Sequence, residues 1–175
     1  EMTWGQKALA YAMDLARERC GGRAPDTFAT PAMRFGTEQE PFARMHYEAT
    51  RGVIVEEAGF ITTDDRTFGV SVDGLIGDDG VWECKTMVSS LTLFTAVVDG
   101  NVSAYTDQIN MALWLLHRKW CDLVLWAPDL EPLGKQMTTV RIHRNDDTIE
   151  QLESDLVAFA GLVDRFEQSL RKAAA

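Results

Sequence analysis

The chain has 175 residues, 46% of them hydrophobic, and a formal net charge of −10 from 17 Lys and Arg against 27 Asp and Glu. That length fits a single domain over residues 1–175 with a full core of its own; no apolar run is long enough to span a bilayer, and no secretory signal is found. Cys20, Cys84 and Cys121 are too widely spaced, and odd in number, for a disulfide framework or a zinc or iron–sulfur site; they suit a reducing cytoplasm, and the acidic balance argues against a pure DNA binder.

In chain order, residues 3–19 read as an amphipathic helix with Trp4, Leu9, Ala12, Leu15 and Ala16 toward one side, broken by the glycine- and proline-containing stretch 20–26. Residues 31–50 form a second helix that stops at Gly52. Pro41 should kink this helix or mark its first turn, exposing backbone beside Glu40 in either case. Strand follows over 53–63, and a further strand over 70–75 runs into a turn. Gly77-Asp-Asp-Gly80 is a hairpin signal, since Asp-Gly supplies the positive φ of a tight turn, and 81–86 is the return strand. Asp78 and Asp79 belong to that turn; they lack the ligand spacing of a calcium loop. Residues 88–98 fit helix or loop. Asn101 or Ser103 caps a helix that runs to Arg118, with Ile109, Leu113 and Leu116 along one stripe. Residues 121–126 and 137–142 alternate as strands. The last helix, 146–172, is strongly amphipathic, and its acidic start (Asp146, Asp147) and basic end (Arg171, Lys172) complement the macrodipole. The class is α/β: a sheet core flanked by helices, plus an N-terminal helical part, without repeats or low-complexity segments.

The chemistry concentrates in Asp73, Glu83 and Lys85, a D-x9-E-x-K pattern. Side chains alternate along a strand, so Glu83 and Lys85 share a face and Cys84 points away. The hairpin brings the Asp73 end of the first strand beside them. Two carboxylates can grip a hard divalent cation while an amine steers or activates a water, which is the minimum set for hydrolysing a phosphodiester with Mg²⁺. The backbone carbonyl of Cys84 lies between Glu83 and Lys85 as a further oxygen ligand. E-x-K alone is common on exposed strands as a solvated charge pair, so the neighbouring segments decide. His46, His117 and His143 are scattered and read as surface or satisfied histidines. Trp82, Trp114, Trp120 and Trp126 sit on elements with apolar periodicity and read as core or subunit interface rather than base-stacking platforms.

Those neighbouring segments are Arg34-Phe-Gly-Thr-Glu-Gln-Glu40-Pro-Phe-Ala-Arg44, Glu57-Ala-Gly-Phe60, Phe68-Gly-Val-Ser71-Val-Asp73-Gly-Leu75, Trp82-Glu-Cys-Lys85, Tyr105-Thr-Asp-Gln108 and Trp120-Cys-Asp-Leu-Val-Leu-Trp126. In this order, from about residue 31 to 128, they resemble the lambda-exonuclease, or YqaJ-type viral recombinase, branch of the PD-(D/E)xK nucleases. The resemblance implies a restriction-endonuclease-like core with a central mixed β-sheet. It implies that Asp73 bridges two Mg²⁺ ions (with Mn²⁺ as substitute), that Glu83 binds one of them, and that Lys85 positions the attacking water. Glu40 would hold a metal-bound water from the helix side, Gln108 would touch the substrate or nucleophile with Tyr105 supporting that helix, and Ser71 would help seat a 5′-phosphate. Val72 stands where the family often has a small residue or proline, and Thr86-Met87-Val88 follow the lysine where it often has proline. The Arg-x-Gly-x-x-Thr/Ser segment that supplies the family's phosphate-binding arginine is not found in these residues, which leaves the rest of that pocket unassigned.

The activity implied is 5′-to-3′ digestion of double-stranded DNA ends, leaving 3′ single-stranded tails for a single-strand annealing recombinase of phage or prophage type. A homotrimeric ring in a bacterial cytoplasm, away from membranes, is implied with it. A ring needs positive charge only along its channel, for which Arg44, Arg51, Arg66, Arg118 and Lys119 are the candidates, each also readable as a solvated surface cation. Two other readings stay open: a repair or restriction nuclease with endonuclease or single-strand preference, and a non-catalytic DNA-binding module on the same fold.

Overall fold

The computed structural model describes residues 3–24 and 28–173. Pro25 and Asp26, in the stretch read as breaking the first helix, lie outside them. The elements are α1 (Gln6–Arg19), α2 (Pro31–Arg51), β1 (Glu56–Glu57), β2 (Phe60–Thr62), β3 (Gly69–Ser71), β4 (Gly74–Ile76), β5 (Gly80–Thr86), α3 (Ser90–Leu93) running into a π-helical turn (Phe94–Val98), α4 (Ser103–Leu115), β6 (Trp120–Trp126), a 3₁₀ turn (Pro128–Leu133), β7 (Met137–His143) and α5 (Asp146–Ala173).

The chain gathers into two units. The larger, Ala29–Ile149, is built on a five-stranded mixed sheet of order β1-β4-β5-β6-β7, in which β5 and β6 are parallel and the other neighbours antiparallel. Alternation along β5 and β6 sorts the apolar side chains between two layers. Val81, Cys121, Leu123 and Leu125 pack with Ile109, Ala112 and Leu113 of α4. Trp82, Val124 and Trp126 pack with Ala43 and Tyr47 of α2. The sheet is thereby covered by a helix on each face, as a parallel pair of strands requires. Two of the four tryptophans on these elements, Trp82 and Trp126, are core residues outright. The smaller unit holds α1 and most of α5, where Ala12 and Ala16 meet Leu162 and Val163, and Trp4 lies edge-on to Phe159 at 5.6 Å. Among the described residues no helix is long and apolar enough to cross a membrane.

Three expectations need correction. The single strand read over 70–75 is two strands of different sheets. β3 pairs with β2, with Ser71 opposite Phe60, whereas β4 pairs with β5, with Gly74 opposite Trp82. Period-2 alternation looks the same in one strand or in two joined end to end, so the pattern cannot reveal the change of sheet. Gly74 is where the chain enters the main sheet, and a Cβ there would run into the Val55 side chain. The helix read as ending at Arg118 stops at Leu115. His117 takes a left-handed φ of 53°, the Arg118 guanidinium donates to the Gly77 carbonyl, and Lys119 pairs with Asp79 at 3.0 Å, so the turn of the hairpin captures the residues that would have continued the helix. Neither Asn101 nor Ser103 is the N-cap. Val102 is, while Asn101 Oδ1 accepts from Ser103 N at 3.1 Å and Oγ at 2.7 Å. Pro41 sits in the interior of α2, not its first turn. There it removes the N–H that would bond the Thr37 carbonyl. The helix end at Gly52, with φ of 66°, is as expected.

Candidate active site

Asp73 stands where the chain leaves β3 for β4. The β4–β5 ladder ends at Gly74 opposite Trp82. Beyond it the Cys84 N–H meets the Asp73 carboxylate instead of a backbone carbonyl, donating to Oδ2 at 2.8 Å. The change of sheet therefore frees Asp73 from the ladder and anchors its carboxylate against β5.

On β5, alternation puts Glu83 and Lys85 side by side, and Lys85 Nζ donates to Glu83 Oε1 at 2.8 Å. From α4, Gln108 Nε2 donates to the same Oε1 at 2.6 Å, and Gln108 Oε1 accepts from Lys85 Nζ at 3.0 Å. The three side chains form a closed ring of hydrogen bonds. Glu83 is only 3% exposed. Both of its protein hydrogen bonds fall on Oε1, which leaves Oε2 available. Tyr105 lies three residues before Gln108 on α4, with its ring centre 6.0 Å from Lys85 Nζ. Glu40 approaches from α2, held by Arg44 one turn on at 3.0 Å. Ser71 is exposed on β3 and makes no hydrogen bond to this cluster.

The electrostatics follow from crowding acids in a partly dry place. Burial first, then the Asp73 carboxylate, push Glu83 up to about 7 despite its Lys85 and Gln108 partners. Burial raises Asp73 as well, opposed by the Cys84 N–H and by the charges of Lys85 and Arg44. Glu40 is raised by burial and next by Asp73, with Arg44 opposing. Burial pulls Lys85 down, but Glu83 beside it more than compensates, so the ammonium is held above its usual range. The Cys84 thiol is pushed well above its ordinary value by burial and the surrounding carboxylates, which disfavours its thiolate form.

Carboxylates raised by burial and, for Glu83 and Glu40, also by Asp73 are short of positive charge, which a divalent cation would supply. The donors are hard oxygens only, which suits Mg²⁺ rather than a thiolate-seeking metal. Among the described residues no three Asp, Glu, His or Cys side chains gather closely enough to hold an ion by themselves. The carboxylates of Asp73 and Glu83 would thus leave places for carbonyl, water and phosphate oxygens, as Mg²⁺ at phosphates usually has. The donor set fits.

Arg44, a candidate channel residue or solvated surface cation by sequence, is not solvated in the structure. Its side chain is 14% exposed and bonds Glu40 and Glu57. The Glu40–Arg44 spacing of four residues on one helix was the available signal. A cleft of about 610 Å³ lies away from the ring, lined by Phe42, Met45, His46, Trp126 and Pro128 among others. Glu131 is its only carboxylate, so it lacks the paired acids that phosphodiester hydrolysis requires.

The model of the YqaJ-like viral recombinase domain matches residues 2–118. Among solved structures, the chain is similar to an alkaline exonuclease (LHK-Exo) from Laribacter hongkongensis, with 34% identity over 99% of this chain and 88% of that one and a TM-score of 0.85. The same protein in complex with dAMP gives 35% identity, the same coverage and the same TM-score. A phage-related exonuclease from Haemophilus somnus 129PT shares the fold at 16% identity, with a TM-score of 0.68 over 98% of this chain and 85% of that one. No curated protein matches the chain.

Proposed function

The chain belongs to the YqaJ-like viral recombinase domain family, and on that premise we propose that it is a Mg²⁺-dependent exonuclease that digests the 5′-ended strand of duplex DNA and leaves a 3′ single-stranded tail. The observation that carries this reading is the hydrogen-bonded ring of Glu83, Lys85 and Gln108 with Asp73 anchored to the same strand. The chain's likeness to an alkaline exonuclease, also solved in complex with dAMP, supports it.

Asp73, Glu83 and the Cys84 carbonyl would hold two Mg²⁺ ions, or Mn²⁺ in their place, with Glu40 holding a coordinated water from α2. When bound, the ions supply the charge that acidifies the attacking water and stabilises the leaving oxyanion. Lys85 does the rest of the polar work. Its ammonium stays protonated beside Glu83, so it orients the nucleophile and offsets developing charge rather than removing a proton. Gln108, able to donate and accept at once, keeps Lys85 and Glu83 in register and reaches the substrate, and Tyr105 backs it. Ser71 would contribute to a 5′-phosphate pocket completed by residues of other segments. The product tail suits a single-strand annealing recombinase as partner. A homotrimeric ring around the duplex, in a bacterial cytoplasm, is the assembly proposed; sedimentation with DNA present should show three copies, and a monomer alone removes it.

Linear duplexes labelled separately at each 5′ and 3′ end, with and without a 5′-phosphate, test the activity. In Mg²⁺ the 5′-labelled end should be released first, and a closed circular duplex should survive. Cutting of the circle overturns the exonuclease assignment in favour of an endonuclease of restriction or repair type. A second expectation concerns pH. Glu83 titrates near 7 and must be ionised to bind a cation, so protons compete below that value. Calorimetric Mn²⁺ affinity should fall by roughly tenfold per pH unit below 7 and level off above it. A flat profile from pH 5.5 to 8 contradicts the raised carboxylate.

A further inference from the structure

We propose that Arg44 is a positioning residue that fixes Glu40, and with it the α2 side of the cation site. The inference rests on the metal-dependent reading above. Arg44 is placed by three different elements at once. One turn earlier on its own helix, Glu40 Oε1 accepts from Nη2 at 3.0 Å. On β1, Glu57 pairs with Nη1. On β5, the Trp82 ring centre lies 5.9 Å from the guanidinium carbon. Glu57 is itself opposite Gly74 in the β1–β4 ladder, next to Asp73. Arg44 therefore connects the helix that carries one acid to the strand that delivers another, and its charge is felt at Asp73.

The chemistry needs an arginine. A planar fork can address two carboxylates through separate nitrogens while its face lies against an aromatic ring, whereas an ammonium is a single point charge. The Arg44 side chain is 14% exposed and Glu57 79% exposed, so the fork is sheltered on the Glu40 side and open on the other. Arg44 Nε is buried without a hydrogen-bond partner. The guanidinium is thus held by its two terminal nitrogens alone, a geometry set by where the carboxylates stand. Each terminal nitrogen donates to a different carboxylate, which directs the fork toward acids on two elements. Supporting partners of metal-binding groups typically cost 10–100-fold in affinity or activity when removed.

The test compares wild type, Arg44→Ala, Arg44→Lys, Glu40→Ala and the double variant Glu40→Ala/Arg44→Ala. Circular dichroism confirms that each is folded at the assay temperature, and Mn²⁺ binding is measured by calorimetry without DNA. Arg44→Ala should weaken Mn²⁺ binding about 10-fold or more, and Arg44→Lys should recover only part of the loss. In the Glu40→Ala background, removing Arg44 should change the affinity by less than about twofold, because the group it positions is gone. On linear duplex at saturating Mg²⁺, kcat should fall with KM for DNA little changed. Unaltered Mn²⁺ affinity in folded Arg44→Ala, or equal losses with and without Glu40, overturns the proposal. A raised KM for DNA with a shallower salt dependence and normal Mn²⁺ binding instead makes Arg44 a phosphate contact. If wild type binds no Mn²⁺ or Mg²⁺, the metal-dependent reading itself falls. Should Arg44→Ala not fold, Arg44→Lys carries the comparison alone, and full Mn²⁺ affinity there overturns the proposal.

Discussion

Lys85→Ala should lower single-turnover cleavage of linear duplex by about 10³-fold or more while leaving cation and DNA binding in place. The ring geometry is the reason the two properties separate. Glu83 Oε1 accepts from both Lys85 and Gln108, so losing the lysine leaves the carboxylate still held by the amide. Asp73 is anchored by the Cys84 backbone, which no side-chain substitution at position 85 removes. What disappears is the ammonium that the ring holds beside Glu83. Asp73→Asn and Glu83→Gln should behave differently, losing cation binding together with cleavage. Calorimetry with Mn²⁺ and fluorescence anisotropy with labelled duplex, run beside the cleavage assay, distinguish the two patterns. Undiminished cleavage by Lys85→Ala would falsify the assignment of these three residues.

The second large effect is on stability, away from the ring. Asp122 on β6 is 2% exposed. It accepts from Tyr47 of α2 at 2.5 Å and from Arg141 of β7 through Nε at 2.7 Å and Nη2 at 2.8 Å. Arg141 lies over the Trp120 ring at 3.7 Å. This network joins the helix covering one face of the sheet to two of its strands. Arg141→Ala leaves a buried carboxylate with one neutral donor, an arrangement that typically costs 3–5 kcal/mol. Because the arginine is itself half exposed and water can reach part of the gap, about 3 kcal/mol is the expectation. That corresponds to a fall in Tm of roughly 6–12 °C for a chain of this size. The sign with pH is fixed. Burial raises Asp122, but Arg141 and Tyr47 together hold its carboxyl below the usual range. The stabilisation is therefore complete at neutral pH and is lost as pH falls through that lowered value. The gap in Tm between wild type and Arg141→Ala should narrow in acid, and a gap that widens there contradicts the pairing.

The sequence by itself determined the class of the fold, the identity of most of its long elements and which residues gather in the central cluster. Those features are local. Alternation alone puts Glu83 and Lys85 on one face, and the glycine-flanked stretch 77–80 marks the turn that returns the chain past Asp73, although its positive φ falls on Gly77 (52°) and not on the Gly80 of Asp-Gly, which already belongs to β5. The amphipathic period of α1 and α5, the apolar stripe of α4, and Gly52 at the end of α2 are likewise written in neighbouring residues. Only the tertiary structure decided what depends on distant partners. The change of sheet at Asp73 is invisible to a pattern of period two, because both strands obey it; it exists because β3 finds β2 while β4 finds β5. The early end of α4 follows from Gly77 and Asp79 competing for Arg118 and Lys119. The same holds for charge: sequence leaves Arg44 as a channel or surface cation and says nothing of Arg141, and the fold makes each the partner of a buried or half-buried acid. A carboxylate in a low-dielectric place needs a counter-charge far more than one in water does, and which arginine supplies it is a matter of where the helices and strands come to rest.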